Sequence, residues 1–273
     1  VKISESKDFA QATEIAAAKQ ELYGSVQYRA LAENLAPATT YYYQVGDKAT
    51  GVFSGTGEFT TAKDSGAFSF VSLTDTQSYT DGDAQVSAAT LEKALGTVPD
   101  AAFVLHGGDV VDDGSNEGMW ESLLNYSAAG LMSTTIAPAA GNHEATGNAF
   151  VNHFYLEQNG DPTGGTYYSF DYSNAHFVVL NTNEDSTQNL SDEQLRWLRE
   201  DVTSAREAGA EWIILNMHKG PYTTATHMDD QDIKNMRRVL VPLIDELDID
   251  LVLQGHDHIL ARTKVLAYDE NGT

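Results

Sequence analysis

Five apolar runs in this 273-residue chain lead straight into side chains that bind cations, and that repetition limits the folds available to it. Phe70-Val71-Ser72-Leu73 runs into Thr74-Asp75-Thr76-Gln77, and Ala101 to Leu105 into Gly107-Gly108-Asp109. A third run, Leu131 to Ala137, precedes Gly141-Asn142-His143-Glu144. Trp212 to Met217 ends at His218, and the run closing on Gln254 ends at Gly255-His256-Asp257-His258. Each has the length of a buried strand. In an open α/β sheet ligands collect at the carboxyl ends of the strands. A single Gly-Asp or Gly-Asn is an ordinary turn dipeptide, and a single histidine at a strand end is more often structural. Five such clusters in sequence are not explained as turns.

Between the runs lie helical patterns: Gln85 to Leu95, Met119 to Ser127 and Asp230 to Leu247. Ser191, with Gln194 three residues on, reads as a capping box opening a helix that carries Leu195, Leu198 and Val202 on one face. Thr166 to Asn181 alternates around Ser173-Asn174 and predicts a β-hairpin. Strand and helix alternating in this way predict a sheet flanked by helices on both faces. The first sixty residues differ. Within them Ser25 to Ala62 alternates apolar and polar positions, is rich in Tyr, Thr and Val, and is punctuated by Gly46, Gly51, Gly55 and Gly57, as short antiparallel strands are. Leu35 to Gly46 resembles the later strands of a fibronectin type III sandwich. A full sandwich needs roughly 100 residues, so earlier strands are expected to be missing. Gly66 marks a linker, dividing the chain into a partial β unit, 1–65, and a second domain, 66–273.

The chain has 40 acidic and 16 basic residues, a net charge of −24. Such a surface disfavours duplex nucleic acid, which needs clustered Lys and Arg. It suits high ionic strength or an acidic exterior. The chain contains no cysteine, which removes disulfides, thiolate catalysis and zinc–thiolate sites. Any metal must be held by oxygen and imidazole. No apolar run reaches the roughly 20 residues of a membrane span. The lack of cysteine fits a secreted Gram-positive protein, and an extracellular or cell-surface location is expected.

The motifs DTQ, GDVVD, GNHE, NMHKGPY and GHDH, in this order over residues 66–262, make the second domain similar to a calcineurin-type metallophosphoesterase. With the β segment before it, the chain resembles the purple acid phosphatase branch. The resemblance implies an α/β (α+β) four-layer sandwich of β-sheets flanked by helices, preceded by a small all-β segment. It also implies two divalent or mixed-valence transition-metal ions, such as Mn, Zn or Fe. Asp75 and His258 would hold the first, Asn142, His218 and His256 the second, and Asp109 would bridge them. Two such cations activate water as hydroxide, orient its in-line attack on phosphorus and stabilise both oxygens of the displacement. The implied substrate is a small phosphate ester, most simply a monoester, with phosphodiesterase or nucleotidase activity, or a non-catalytic metal-binding module, as alternatives. His143 would stand beside the phosphate and protonate the leaving group. His227, nine residues after His218, falls where that branch carries a substrate-facing histidine, or is an exposed loop residue.

Two departures alter what the resemblance implies. Asp112 stands where purple acid phosphatases carry a tyrosine ligand, so no purple charge-transfer colour is expected and a firmly held ferric ion is disfavoured. Gln77 stands where many metallophosphoesterases place a histidine ligand; its amide oxygen would bind the first metal, or its side chain would hydrogen-bond behind it. His106, His153 and His176 read as packing, surface or structural residues, and Trp120, Trp197 and Trp212 as core. Only Ile259 to Thr273 follow GHDH, where the family usually continues with further strands, so a longer native chain is expected.

Overall fold

The computed structural model describes residues 1–22, 25–144, 149–154, 156 and 166–267. Eight short strands come first: β1 (Lys2–Ser4), β2 (Thr13–Glu14), β3 (Ala18–Leu22), β4 (Ser25–Arg29), β5 (Thr40–Gln44), β6 (Gly46–Asp47), β7 (Val52–Phe53) and β8 (Gly57–Thr60). The rest alternates as the apolar pattern predicts. β9 (Ser69–Leu73), α1 (Asp81–Thr97), β10 (Ala101–His106), α2 (Glu117–Leu131) and β11 (Thr135–Pro138) lead to α3 (Ala149–His153). Then follow β12 (Tyr168–Tyr172), β13 (Ala175–Val179), α4 (Asp192–Ala208), β14 (Trp212–Met217), α5 (Gln231–Glu246) and β15 (Leu251–Gln254).

The alternation resolves into two sheets. β11-β10-β9 is wholly parallel, while β12-β13-β14-β15 is parallel apart from the antiparallel β12–β13 hairpin. Period-two alternation assigns each residue to a face. Phe103 and Leu105 of β10 point into a layer shared with Phe177 and Val179 of β13 and Ile214 of β14. Val104 faces the opposite way, toward Leu91 of α1. Val178, Ile213, Leu215 and Met217 pack beneath Leu198 and Val202 of α4 and Met236 and Leu240 of α5. The order is therefore helices, sheet, sheet, helices: four layers. The inter-sheet layer is aromatic. Phe70 stacks on Phe103 at 5.5 Å and Phe170 on Phe177 at 5.0 Å, while Phe103 and Phe177 meet edge to face at 5.1 Å, a geometry that adds about 0.5–1.5 kcal/mol per pair beyond area burial.

In the N-terminal segment β2-β1-β5-β8 form one antiparallel sheet around buried Tyr41, whose ring lies 5.7 Å from Phe59. Four strands of the segment lie within the first 29 residues. β1 and β2 are too short to show a period. The segment meets the rest of the chain at Met132, the C-cap of α2, whose carbonyl accepts from the Tyr43 hydroxyl (3.1 Å) and the Glu58 amide (3.0 Å).

Two local expectations change and a third holds. Ser191 caps α4 through the Gln194 amide, but the Gln194 side chain bonds both backbone groups of Asn181 (2.9 Å each), so no reciprocal capping box forms. Trp212 is 53% exposed rather than core, because it opens β14 at the sheet margin. His176 is structural, as expected, through charge: Nδ1 meets Asp171 at 2.7 Å and Nε2 meets Asp201 of α4 at 2.9 Å. Burial opposes a charge on this ring, but Asp201 and Asp171 outweigh it and raise its pKa above the ordinary value. A raised folded-state pKa stabilises fully below the unfolded value near 6.5 and less as pH climbs through the folded value. The urea midpoint of the wild type should therefore exceed that of His176→Asn at pH 6, and the gap should narrow at pH 9. A gap independent of pH would remove the charged clamp.

Candidate metal centre

Both sheets present their C-terminal strand ends at one edge, and hydrogen bonds tie those ends together. The His218 ring, after β14, donates Nδ1–H to the Gly107 carbonyl after β10 (2.9 Å). Asn216 donates to the His106 carbonyl (3.1 Å), and Gly255 to the His218 carbonyl (2.9 Å). The His256 amide meets both Asp75 carboxylate oxygens, at 3.1 and 3.0 Å. Segments more than a hundred residues apart are thus fixed against each other before any side chain binds a ligand.

These ends turn sharply. Asp75, Gln77, Asp109, His256 and His258 all have positive φ, 51°, 39°, 50°, 75° and 47°. Left-handed backbone costs an L-residue roughly 1–2 kcal/mol, and such strain gathers where side chains must be aimed. Gly108 (φ 96°) brings the backbone close: a Cβ there would lie 2.7 Å from His218 Nδ1 and 2.9 Å from the Gly141 amide.

The turns bring the expected donors together. Asp109, His218 and His256 present ligand atoms all within 4.8 Å of one another. Asp109 Oδ2 lies 3.1 Å from His218 Nε2, which is also 3.1 Å from Asn142 Oδ1. Asp75 Oδ1 lies 3.4 Å from His258 Nε2. His143 Nε2 stands 3.8 Å from Asp109 Oδ2, and the His143 amide donates to Asp109 Oδ1 (3.0 Å). Gln77 does not stand among these donors by its nitrogen, which reaches Asp112 Oδ1 (3.1 Å) and His143 Nε2 (2.9 Å). His227 sits on the 3-10 turn Thr226–Asp229, with its ring centroid 4.3 Å from that of His256 and Nδ1 2.7 Å from Asp230.

The donor set fits transition metals. It offers imidazole nitrogen, carboxylate and amide oxygen and no sulfur, the mixture that Zn, Mn and Fe accept. With its Nδ1 proton on a carbonyl, His218 has Nε2 left to meet a cation once the proton shared there with Asp109 is displaced, the usual bracing of a metal-binding imidazole. Burial pushes His256 down to about 4, and His218 and His227 beside it push the same way, which keeps the ring neutral as metal binding requires. Burial opposes charge on His218, but the Asp109 carboxylate outweighs it and raises the ring's pKa. Burial likewise opposes charge on Asp109, yet its hydrogen bond to His218 holds it below the usual range.

Two further residues support the centre, one of them, His106, in the structural role expected of it. His106 is buried at the end of β10, accepts at Nδ1 from the Gly108 amide (3.2 Å) and lies 3.2 Å from the Thr76 hydroxyl at Nε2. Burial lowers its pKa to about 4, so it is neutral and structural. Glu144 had been quoted only as part of GNHE. Its buried carboxylate accepts from Val110 (2.9 Å), Val111 (3.1 Å) and Gly141 (2.9 Å), binding the Asp109 turn to the Asn142 turn. A carboxylate set beside a ligand run was the only signal for it in the sequence. Burial pushes its pKa up to about 7 against the pull of those amides. Glu144→Gln turns an N–H toward one of the three donors, so the metal-free chain should lose about 1–3 kcal/mol in denaturant unfolding. Unchanged stability would deny the bridge.

Residues 68–260, well over half of the chain, match the family model for calcineurin-like phosphoesterase, and residues 1–61 match that for the purple acid phosphatase N-terminal domain. Purple acid phosphatase 23 of Arabidopsis thaliana is 31% identical over 132 residues, 45% of this chain and 28% of that protein. An uncharacterized Mycobacterium tuberculosis protein is 29% identical over 148 residues, 47% of this chain and 28% of that one. The chain thus spans under a third of the length of these relatives. A purple acid phosphatase from yellow lupin (Lupinus luteus) seeds shares its fold, with a TM-score of 0.76 at 15% identity over 93% of this chain and 52% of the other. Motifs, four-layer fold and family models agree, and the chain belongs to the calcineurin-like phosphoesterase family, in its purple acid phosphatase-like branch.

Proposed function

We propose that this chain hydrolyses small phosphate esters, monoesters by preference, at a dinuclear metal centre held by Asp75, Asp109, Asn142, His218, His256 and His258. The observation that carries this reading is the meeting of oxygen and nitrogen donors from both sheets at one strained edge, with Asp109 buried among them. Asp75 and His258 serve one cation, Asn142, His218 and His256 the other, and Asp109 offers an oxygen to each. When bound, the cations supply a nucleophile at neutral pH and offset charge at phosphorus. Water oxygen bonds to phosphorus in line as the ester P–O bond breaks, and the leaving oxygen takes a proton. His143, half-buried beside Asp109, in its protonated form offers that proton from Nε2. His227, packed on His256 and held by Asp230, faces the substrate and orients it.

Residues 1–65 form a separate β unit of fibronectin type III-like character on this reading, and 66–273 the catalytic domain. The net charge of −24 repels a duplex, so the substrate is a small molecule. Among the described residues no helix is long and apolar enough to cross a membrane, and an extracellular or cell-surface setting accords with the acidic, cysteine-free composition.

Metals should be stripped and Mn, Zn, Fe or Ni restored singly, with p-nitrophenyl phosphate and bis-p-nitrophenyl phosphate as substrates. Expected are metal-dependent turnover of the monoester, its loss in Asp109→Asn, and a fall of about 10²-fold in His143→Ala. Preference for the diester would reassign the site to a phosphodiesterase. Stoichiometric metal binding without turnover of either ester would make the chain a non-catalytic metal-binding module.

A further inference from the structure

Gln77 occupies a position from which it could ligate a metal, yet its bonds point elsewhere. Its backbone is fixed first. The Gln77 amide donates to the Asp109 carbonyl (2.8 Å), the Ser78 amide to the Val110 carbonyl (3.3 Å), and Ser78 bridges Val111 in parallel. The segment after β9 therefore lies along the Asp109–Asp112 loop, and the left-handed turn at Gln77 swings its side chain over that loop.

Both hydrogens of its amide nitrogen have acceptors. One partner is Asp112 Oδ1 at 3.1 Å, the other His143 Nε2 at 2.9 Å. Reversing the amide would set its oxygen against the Asp112 carboxylate, so the orientation is chemically determined. The opposite ring nitrogen, His143 Nδ1, lies in close contact with the Asp112 carbonyl. A carbonyl can only accept, so Nδ1 carries the proton of the neutral ring and Nε2 keeps a lone pair for the Gln77 N–H. In its neutral form, the form left once its Nε2 proton has gone to the leaving oxygen, the imidazole is thus held at both nitrogens, by the main chain of Asp112 on one side and by Gln77, itself anchored on the Asp112 carboxylate, on the other.

We propose that Gln77 is a positioning residue for His143 and not a metal ligand. This inference rests on the esterase reading for its kinetic consequence and on hydrogen-bond geometry for its structural one. A ring held at one nitrogen only can swing about its Cβ–Cγ bond, and a displacement of about 1 Å at a reacting group can cost 10²-fold.

Gln77→Leu removes both N–H groups, and Gln77→Glu keeps the shape while turning donors into acceptors. With histidine 15N-labelled in the metal-free full chain, wild-type His143 in its neutral form should show the Nδ1–H tautomer alone, and Gln77→Leu, which leaves Nε2 without a donor, should show averaged ring signals. Titration calorimetry with Mn or Zn should give the same metal stoichiometry for all three proteins. In the metal-loaded enzyme both variants should lose roughly 10–100-fold in kcat with KM little changed, more with phenyl phosphate than with p-nitrophenyl phosphate, because the poorer leaving group needs the proton more. Loss of one metal in Gln77→Leu, or Gln77→Glu binding metal more tightly with full kcat, would make Gln77 a ligand and overturn the proposal. Unchanged His143 ring signals in Gln77→Leu would overturn it as well. Should the wild type hydrolyse no ester, the esterase reading falls alone, and the ring spectra still decide the positioning role.

Discussion

Face-to-face packing of the two sheets is the interaction on which the rest depends. Phe70 and Phe103 from one sheet and Phe170 and Phe177 from the other form an interlocked aromatic layer, and it sets which strand ends share an edge. Parallel pairing within each sheet then sends β9, β10, β11, β14 and β15 out at that edge. A one-residue slip in any of these strands would exchange its faces. Phe103 and Phe177 would leave the layer, and the side chains after the strand would turn away from the centre.

The edge itself works against local preference. Polar residues in left-handed turns, a carboxylate buried beside another, and imidazoles packed ring to ring each raise the energy of the metal-free chain. The stabilisation that offsets them comes from the surrounding bonds. Glu144 gathers three amides from two turns, His106 holds the Gly108 amide, and the Thr74 hydroxyl donates to Asp75 (2.6 Å). Cations bound among these groups would relieve the remaining repulsion between carboxylates, so folding and metal binding favour each other.

Asp112 and Gln77 show how one centre can be rebuilt around substitutions. Purple acid phosphatases resemble this chain in their N-terminal domain and fold, yet the tyrosine and histidine that the motif pattern leads one to expect are absent at these positions. In their place a carboxylate and an amide bond to each other and to the His143 side of the centre. The pair couples the turn after β9 to the turn after β11 through the loop after β10, all within hydrogen-bond distance.

The sequence by itself determined the alternation of strands and helices, the order of the ligand clusters and the absence of sulfur ligands. Those follow from residue type and period, which are local. It also named Asp75, Asp109, Asn142, His218, His256 and His258 as candidate donors, through their places after apolar runs and the family resemblance of their motifs. It missed β1 and β2, too short to carry a period, and misplaced Trp212, since exposure at a sheet margin depends on which strands flank it. It could not choose between ligand and hydrogen-bond donor for Gln77, nor give Glu144 its three amides. Hydrogen-bond direction and burial arise only when segments distant in sequence meet, and that meeting was decided by the tertiary structure.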